Sequence, residues 1–387
     1  MRATWQMLLG DCIASMRSLP DGCVQTCITS PPYYGLRDYG TATWEGGDPA
    51  CDHARGRGGN LANSPASTRG GAGQVEEAQT VPFRGDCGKC GARRIDQQIG
   101  LEESPQEYVA RLVEVFREVR RVLRDDGTLW LNLGDSYCAT DKWGGGVSGN
   151  TGKHTVHGDD VPSWAVRKRR SYDGVKPKDL LGIPWMVAFA LRDDGWYLRS
   201  EIVWAKPNPM PESVTDRPTK AHEQVFLLAK NARYFYDADA VAEASNPASV
   251  EHGKKYGGMP SVNPKMRGFR DRNDIERAAS THCGVAPGRA TRNKRTVWTV
   301  ATQPFSGAHF AVFPPKLIEP MVLAGSAEGD TVLDPFAGSG TTGMVALRHG
   351  RSFIGCELNR EYVELARRRI VDDAPLLNQM AEVVPGV

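Results

Sequence analysis

The chain has 387 residues, of which 40% are hydrophobic and 24% charged, the balance of an ordinary globular protein. This length allows one large α/β domain with a smaller module. Most of the nine cysteines are isolated, which argues against a disulfide framework, and no apolar run approaches a membrane span, the longest covering residues 183–191.

Short strands that alternate with amphipathic helices predict a parallel α/β sheet. A strand over 23–30 ends at Pro31 and Pro32, since proline cannot donate to a β-ladder. A helix that Ser104 caps is expected to end at the turn 125–127. The remaining predicted elements are a strand over 128–133, a helix over 183–192, strands over 196–206 and 222–229, a helix over 313–325, a strand over 331–334, a helix over 341–349, a strand over 352–357 and a helix over 360–370.

Three polar, Gly-rich stretches interrupt these elements. Residues 41–100 read as an insertion, and 141–178 as a mobile loop. Between Lys254 and Arg295, eleven Lys and Arg face three Asp and Glu, which suggests contact with a polyanion; a shorter basic run, 167–170, reads equally as a solvated loop. The predicted organisation is 1–40 and 101–237 for the first part of the core, 41–100 for the insertion, 238–300 for a basic module and 301–387 for the rest of the core.

The strand–turn–helix around Asp334 has the pattern of a ligand crevice in a doubly wound sheet, with Gly338 and Gly340 in the turn. Glu357, at the end of the next strand, can accept hydrogen bonds from both hydroxyls of a ribose. That spacing also suits a dinucleotide enzyme, but Asp334 would repel a pyrophosphate and favour a cationic ligand such as S-adenosylmethionine. The alternative is a Gly-rich turn that binds nothing.

Ser30-Pro31-Pro32-Tyr33 has the chemistry of a pocket for an exocyclic amino group. The Ser30 hydroxyl and the Pro31 carbonyl can accept the two amino hydrogens, and Tyr33 offers an aromatic face for a base. A base inside a duplex could not enter, so it must be flipped out. Methylation at ring carbon 5 needs a cysteine that usually follows a proline, and the sequence has no Pro-Cys pair. The alternative is a plain Pro-rich turn.

Cys51, His53, Cys87 and Cys90 supply four zinc ligands within the insertion. A Cys₃His set is typical of structural zinc, and the metal would help a polar segment to fold. We therefore predict a zinc knuckle; the alternative is free thiols in a loose loop.

With these motifs the chain resembles the amino-directed DNA methyltransferases, which act on cytosine N4 or adenine N6. The resemblance covers most of the chain and implies a Rossmann-like S-adenosylmethionine-dependent methyltransferase sheet. Ser30, Pro31, Pro32 and Tyr33 match the family's catalytic motif. The resemblance implies cofactor contacts for Asp11, His309, Phe310, Asp334, Phe336, Gly338, Gly340, Thr341, Thr342 and Glu357.

The order of the motifs resembles the circularly permuted β class, in which the catalytic half comes first and target recognition lies between the motifs. Residues 246–295 then fall in the target-recognition region. The resemblance implies double-stranded DNA as partner and allows for a cognate restriction endonuclease. The N-terminal residues 1–5 do not read as a signal-peptide core, so we expect a cytoplasmic protein, in a bacterial or phage-infected cell. Ser30 favours cytosine N4 modestly over adenine N6. The same motifs would also suit a methyltransferase that acts on RNA or protein amines, or a DNA-binding module without activity.

Overall fold

A computed structural model describes residues 3–35, 41–51, 86–138, 174–248, 250–251, 290–303, 312–373 and 381–385. By its internal contacts the chain divides into a large unit, 1–235 with 297–387, and a small unit, 236–296. Most of the predicted basic segment, 246–295, and the run 167–170 lie outside the described residues.

The described strands and helices follow one another through both units. The strands are β1 Trp5–Leu9, β2 Val24–Thr29, β3 Thr43–Glu45, β4 Arg93–Ile95, β5 Leu123–Leu133, β6 Tyr197–Ala205, β7 His222–Ala229, β8 Glu243–Ala244, β9 Thr291–Arg292, β10 Val297–Thr299, β11 Thr331–Asp334, β12 Ser352–Glu357 and β13 Ala381–Pro385. The helices are α1 Cys12–Arg17, α2 Pro105–Val122, α3 Ile183–Asp193, α4 Pro315–Gly325, α5 Thr341–Arg348 and α6 Arg360–Asp373.

Nine of the described strands of the large unit form one sheet in the order β10-β6-β7-β5-β2-β11-β12-β1-β13. Strand β7 runs antiparallel to both of its neighbours, and the other described pairs within this sheet are parallel. The sheet confirms the predicted α/β class. Strand β2, near the start of the chain, lies beside β11, near its end.

Helices cover both faces of the sheet. Leu129 and Leu131 of β5 belong to a core that includes the buried sides of α1, α2 and α3. The alternate residues Thr128 and Trp130 lie on the other face, where Gly325 of α4 packs close to both. Strand β2 is buried along its whole length, as expected of a strand inside a parallel sheet.

The structure corrects the end of the predicted long helix. Helix α2 ends at Val122, and β5 begins at Leu123, so the expected turn 125–127 lies inside an irregular strand. The register between β5 and β2 shifts there. Val24 pairs with Leu123 and Thr26 pairs with Thr128, so β5 has more residues than β2 between these two pairs. The Gln25 amide donates to the Asp126 carboxylate at 3.3 Å across this bulge.

Several described elements had no counterpart among the predicted ones. They are β1, α1, β10 and β13 of the large unit, the β3–β4 pair within the 41–100 insertion, and β8 and β9 of the small unit. In the small unit, β8 pairs with β9, and the Glu243 carboxylate faces the guanidinium groups of Arg292 and Arg295. Among the helices of the described ranges, none is both long and apolar enough to cross a membrane.

Candidate active site

The predicted motifs meet at one edge of the large sheet. The parallel strands β2, β5, β11, β12 and β1 all end at this edge, and the antiparallel β7 begins there. Ligand sites of open α/β sheets lie at the carboxyl ends of their parallel strands. The fold therefore gathers residues from both ends of the chain at one place.

A buried carboxylate joins the two motifs. Asp334, 1% exposed, accepts from the Thr29 hydroxyl at 2.6 Å through Oδ1 and from the Thr342 hydroxyl at 2.7 Å through Oδ2. The backbone N–H of Phe336 also donates to Oδ1, at 3.0 Å. Burial raises the pKa of Asp334 to about 6, although these hydrogen bonds oppose the shift. Asp334 thus braces the last residue of β2 against the turn after β11.

The Gly-rich turn closes onto Glu357 at the end of β12. Its carboxylate accepts from the backbone N–H groups of Gly338 and Asn359, both at 2.9 Å. Burial raises the pKa of Glu357 to about 7, against these hydrogen bonds. Gly340 is the N-cap of α5 with φ 75°, and a Cβ on it would lie 2.9 Å from Ala366, so this position requires glycine.

The start of α5 is held by partners within the protein. Thr341 and Thr342 are 2% and 0% exposed. The Arg369 guanidinium donates to Thr341 Oγ1 and Ser339 Oγ, both at 2.7 Å. The two threonine side chains therefore point into the fold. Phe336, in the same turn, is partly exposed.

Asp11 lies beside Glu357, because the Gly10 N–H donates to the Glu357 carbonyl at 2.9 Å. Its carboxylate caps α1 by accepting from the Ala14 N–H, also at 2.9 Å. The other two expected cofactor contacts, His309 and Phe310, lie outside the described residues.

The Ser30–Tyr33 turn is supported from α2. The Tyr108 hydroxyl donates to the Pro32 carbonyl at 2.9 Å, and Pro31 is buried. Gly134, just after β5, lies against the Tyr33 ring: a Cβ there would stand 2.4 Å from Cε2. One part of the ring therefore packs on backbone and needs a glycine opposite it.

The Tyr33 hydroxyl enters a polar cluster that sequence reasoning missed. It donates to Glu223 Oε2 at 2.7 Å and lies 3.2 Å from Asn132 Oδ1. Lys206 forms an ion pair with Glu223 Oε1. Glu223 is the second residue of β7 and Lys206 follows β6, so Glu223 reaches this edge only because β7 runs antiparallel to its neighbours. A sequence pattern does not reveal that direction.

Three of the four expected metal ligands converge in the insertion. The thiols of Cys51, Cys87 and Cys90 lie within 4.8 Å of one another, and the Cys51 and Cys87 sulfurs are 3.8 Å apart. Strands β3 and β4 bring these segments together. His53, the fourth, lies outside the described residues.

The sheet and its two turns define an α/β protein with a ligand site at the carboxyl ends of its parallel strands. The sequence profile of the DNA methylase family, N6/N4 type, matches residues 24–368. The chain therefore belongs to this family of DNA amino-methyltransferases.

Relatives at the level of sequence cover nearly the whole chain. The Type II methyltransferase M.Cfr9I of Citrobacter freundii is 40% identical over 93% of this chain and 86% of its own length. M.SmaI of Serratia marcescens, also a Type II methyltransferase, is 37% identical over 95% of this chain and 90% of its own length.

The fold has a solved counterpart in the PvuII DNA methyltransferase, described as cytosine-N4-specific. The match has a TM-score of 0.51 at 16% identity and covers 100% of this chain and 99% of that one.

Proposed function

We propose that the protein transfers a methyl group from S-adenosylmethionine to an exocyclic amino nitrogen of a base flipped out of duplex DNA, with cytosine N4 preferred over adenine N6. The observation that carries this proposal is the Thr29–Asp334 hydrogen bond of 2.6 Å. It joins the strand before the amino-binding turn to the strand before the Gly-rich turn. A base and a methyl donor bound at these turns would be neighbours.

The donor set at the Gly-rich turn fits S-adenosylmethionine. Glu357 and Asp11 place carboxylates at adjacent strand ends, where they suit ribose hydroxyls and an adenine amino group. The turn itself is shaped by Phe336, Gly338, Gly340, Thr341 and Thr342. We propose His309 and Phe310 as further cofactor contacts. Asp334 holds this turn in position. When bound, the cofactor supplies an electrophilic methyl group on a sulfonium.

The proposed work of the Ser30–Tyr33 turn is to make the amino nitrogen nucleophilic. Ser30 Oγ and the Pro31 carbonyl accept its two hydrogens, so its lone pair turns out of the ring. That lone pair would form the new N–C bond as the S–C bond breaks, with the electron pair of the broken bond left on sulfur. The excess proton on the nitrogen would then pass to solvent water. Pro32 keeps the turn rigid, and the exposed part of the Tyr33 ring stacks on the base.

The chain order supports the permuted β class. The amino-binding turn follows β2 and the Gly-rich turn follows β11, and the small unit, 236–296, separates them along the chain. We propose that residues 238–300 recognise the target sequence, that double-stranded DNA is the substrate and that a cognate restriction endonuclease cleaves the same site. The excess of Lys and Arg over Lys254–Arg295 supports contact with phosphates.

One experiment tests the base and the substrate together. The purified protein methylates a mixed plasmid library, and sequencing distinguishes N4-methylcytosine from N6-methyladenine. We expect N4-methylcytosine at one short sequence. N6-methyladenine would refute the cytosine preference. Tritiated methyl groups on RNA or protein alone, or no transfer at all, would refute the proposed DNA activity.

We propose that Cys51, His53, Cys87 and Cys90 hold one structural zinc ion. The convergence of three thiols within 4.8 Å supports the site. Metal analysis of protein purified without chelator should give about one zinc per chain. Replacing Cys90 by Ser should lose the zinc, whereas replacing the half-buried Cys23 should retain it. Native protein without zinc would contradict the proposal.

A further inference from the structure

A chain of hydrogen bonds leads away from Ser30 to a carboxylate. Ser30 Oγ lies 3.4 Å from Tyr33 Oη, which lies 2.7 Å from Glu223 Oε2. Lys206 pairs with the other Glu223 oxygen, and the two side chains are only 17% and 15% exposed. The proposed function uses Ser30 and the Tyr33 ring, but it assigns no role to Glu223 or Lys206.

The Glu223 carboxylate determines which group donates and which accepts in this series of hydrogen bonds. An ionised carboxylate only accepts hydrogen bonds, and a tyrosine hydroxyl has one proton to donate. The contact with Glu223 is shorter than the 3.2 Å contact with Asn132 Oδ1, and a charged acceptor binds more strongly. Tyr33 therefore donates to Glu223, and its oxygen accepts from Ser30. Burial, followed by the charge of Glu223, raises the pKa of Tyr33, which keeps this proton on the phenol.

This direction matters because a serine hydroxyl has no fixed polarity. It can donate or accept, depending on how it rotates. A target amino group has two hydrogens to give away, so Ser30 must accept. With its own proton committed to Tyr33, the lone pairs of Ser30 are left for the amino group.

We infer that Glu223, held by Lys206, is a positioning residue that makes Ser30 a hydrogen-bond acceptor through the Tyr33 hydroxyl. This role rests on the proposed amino-binding function of Ser30. It also gives Tyr33 two separate tasks, since the hydroxyl orients Ser30 while the ring contacts the base.

The test is a double-mutant cycle of Glu223→Gln and Tyr33→Phe. In Glu223→Gln, Lys206 would keep the amide oxygen, so the amide NH₂ would face Tyr33 Oη and Asn132 Nδ2. Tyr33 then loses its charged acceptor and keeps only Asn132 Oδ1, at 3.2 Å. We expect each variant to lower kcat about 10- to 100-fold, the kinetic equivalent of one hydrogen bond to a charged group. The double variant should lose little more than either one. KM for DNA should stay within about threefold, because Tyr33→Phe keeps the ring.

Glu201→Gln, in the neighbouring strand β6, is the matched control and should keep native kcat. Losses that multiply in the double variant, or native kcat in either single variant, would overturn the inference while native methylation still supports the proposed function. A Glu223→Gln protein that loses S-adenosylhomocysteine binding and thermal stability together would show a structural role instead. If that variant does not fold, Tyr33→Phe decides alone. A native protein without DNA methylation would refute both.

Discussion

At the scale of single residues, the unusual feature is that two carboxyl groups beside the Gly-rich turn have raised pKa values: that of Asp334, which is buried, and that of Glu357, which is half-buried. Asp334 has its oxygens occupied by Thr29, Thr342 and the Phe336 N–H. Asp334 was expected to attract a cationic ligand directly. Its observed contacts support a second task, the alignment of the two turns, which the sequence could not show because Thr29 lies 305 positions away.

Replacing Asp334 by Ala should therefore destabilise the fold. Two buried hydroxyls, those of Thr29 and Thr342, and the part-buried Phe336 N–H would lose this acceptor, and each unsatisfied buried donor costs about 1–3 kcal/mol. We expect the free energy of unfolding in urea to fall by about 2–4 kcal/mol. The exposed Asp372→Ala should change it by less than about 0.5 kcal/mol. Native stability in Asp334→Ala would contradict the bracing role.

Glu357 should make the stability of the ligand-free protein depend on pH. Its pKa rises from 4.5 to about 7 on folding, so the folded protein keeps a proton that the unfolded chain releases. This contribution is fully present below pH 4.5 and is lost as the pH rises through about 7. Urea unfolding between pH 4.5 and 8 should show a smaller decline for Glu357→Gln than for the native protein. The exposed Glu361→Gln should keep the native profile, and identical profiles for all three would count against the buried acid.

At the scale of elements, the sequence predicted the bounds of strands best where a hydrophobic run is flanked by residues that interrupt regular structure. Strands β7, β11 and β12 have the predicted bounds, since Gly, Pro or charged residues flank buried runs. The end of α2 was misplaced because Asp125 and Gly127 resemble a turn, yet the chain there forms a bulge against β2. The ligand spacing in the sequence predicted that the thiols of Cys51, Cys87 and Cys90 would lie together. Glu223 was missed because the direction of a strand within a sheet is a tertiary property.

The contact between Gly134 and Tyr33 predicts a specific effect of one methyl group. Gly134→Ala would place a Cβ 2.4 Å from the ring, so the ring must move. We expect methyl transfer to fall at least about 10-fold while the affinity for S-adenosylhomocysteine stays native, since the displaced ring belongs to the proposed base pocket. Isothermal titration with S-adenosylhomocysteine and methylation kinetics separate the two. Native kinetics would show that the ring position is not required.

At the scale of the whole molecule, the site unites distant parts of the chain. Strands β2 and β1 pair with β11 and β12, and Asp334 links the two turns. Bound S-adenosylhomocysteine should therefore slow amide hydrogen exchange in residues 24–35 as well as in 331–357. Exchange followed by mass spectrometry checks this, with the β3–β4 pair as an internal reference. Protection confined to 331–357 would mean that the two turns respond independently.

The position of β2 between β5 and β11 has a consequence for synthesis on the ribosome. Strand β2 emerges early, but its neighbour β11 is translated about three hundred residues later. Until then, one edge of a strand that is fully buried in the folded protein has no partner to pair with. A nascent chain that stalls before Thr331 would present an open sheet edge, and its turn at Ser30 would lack the carboxylate that aligns it. Chaperone protection and the onset of activity should both depend on the arrival of the last strands.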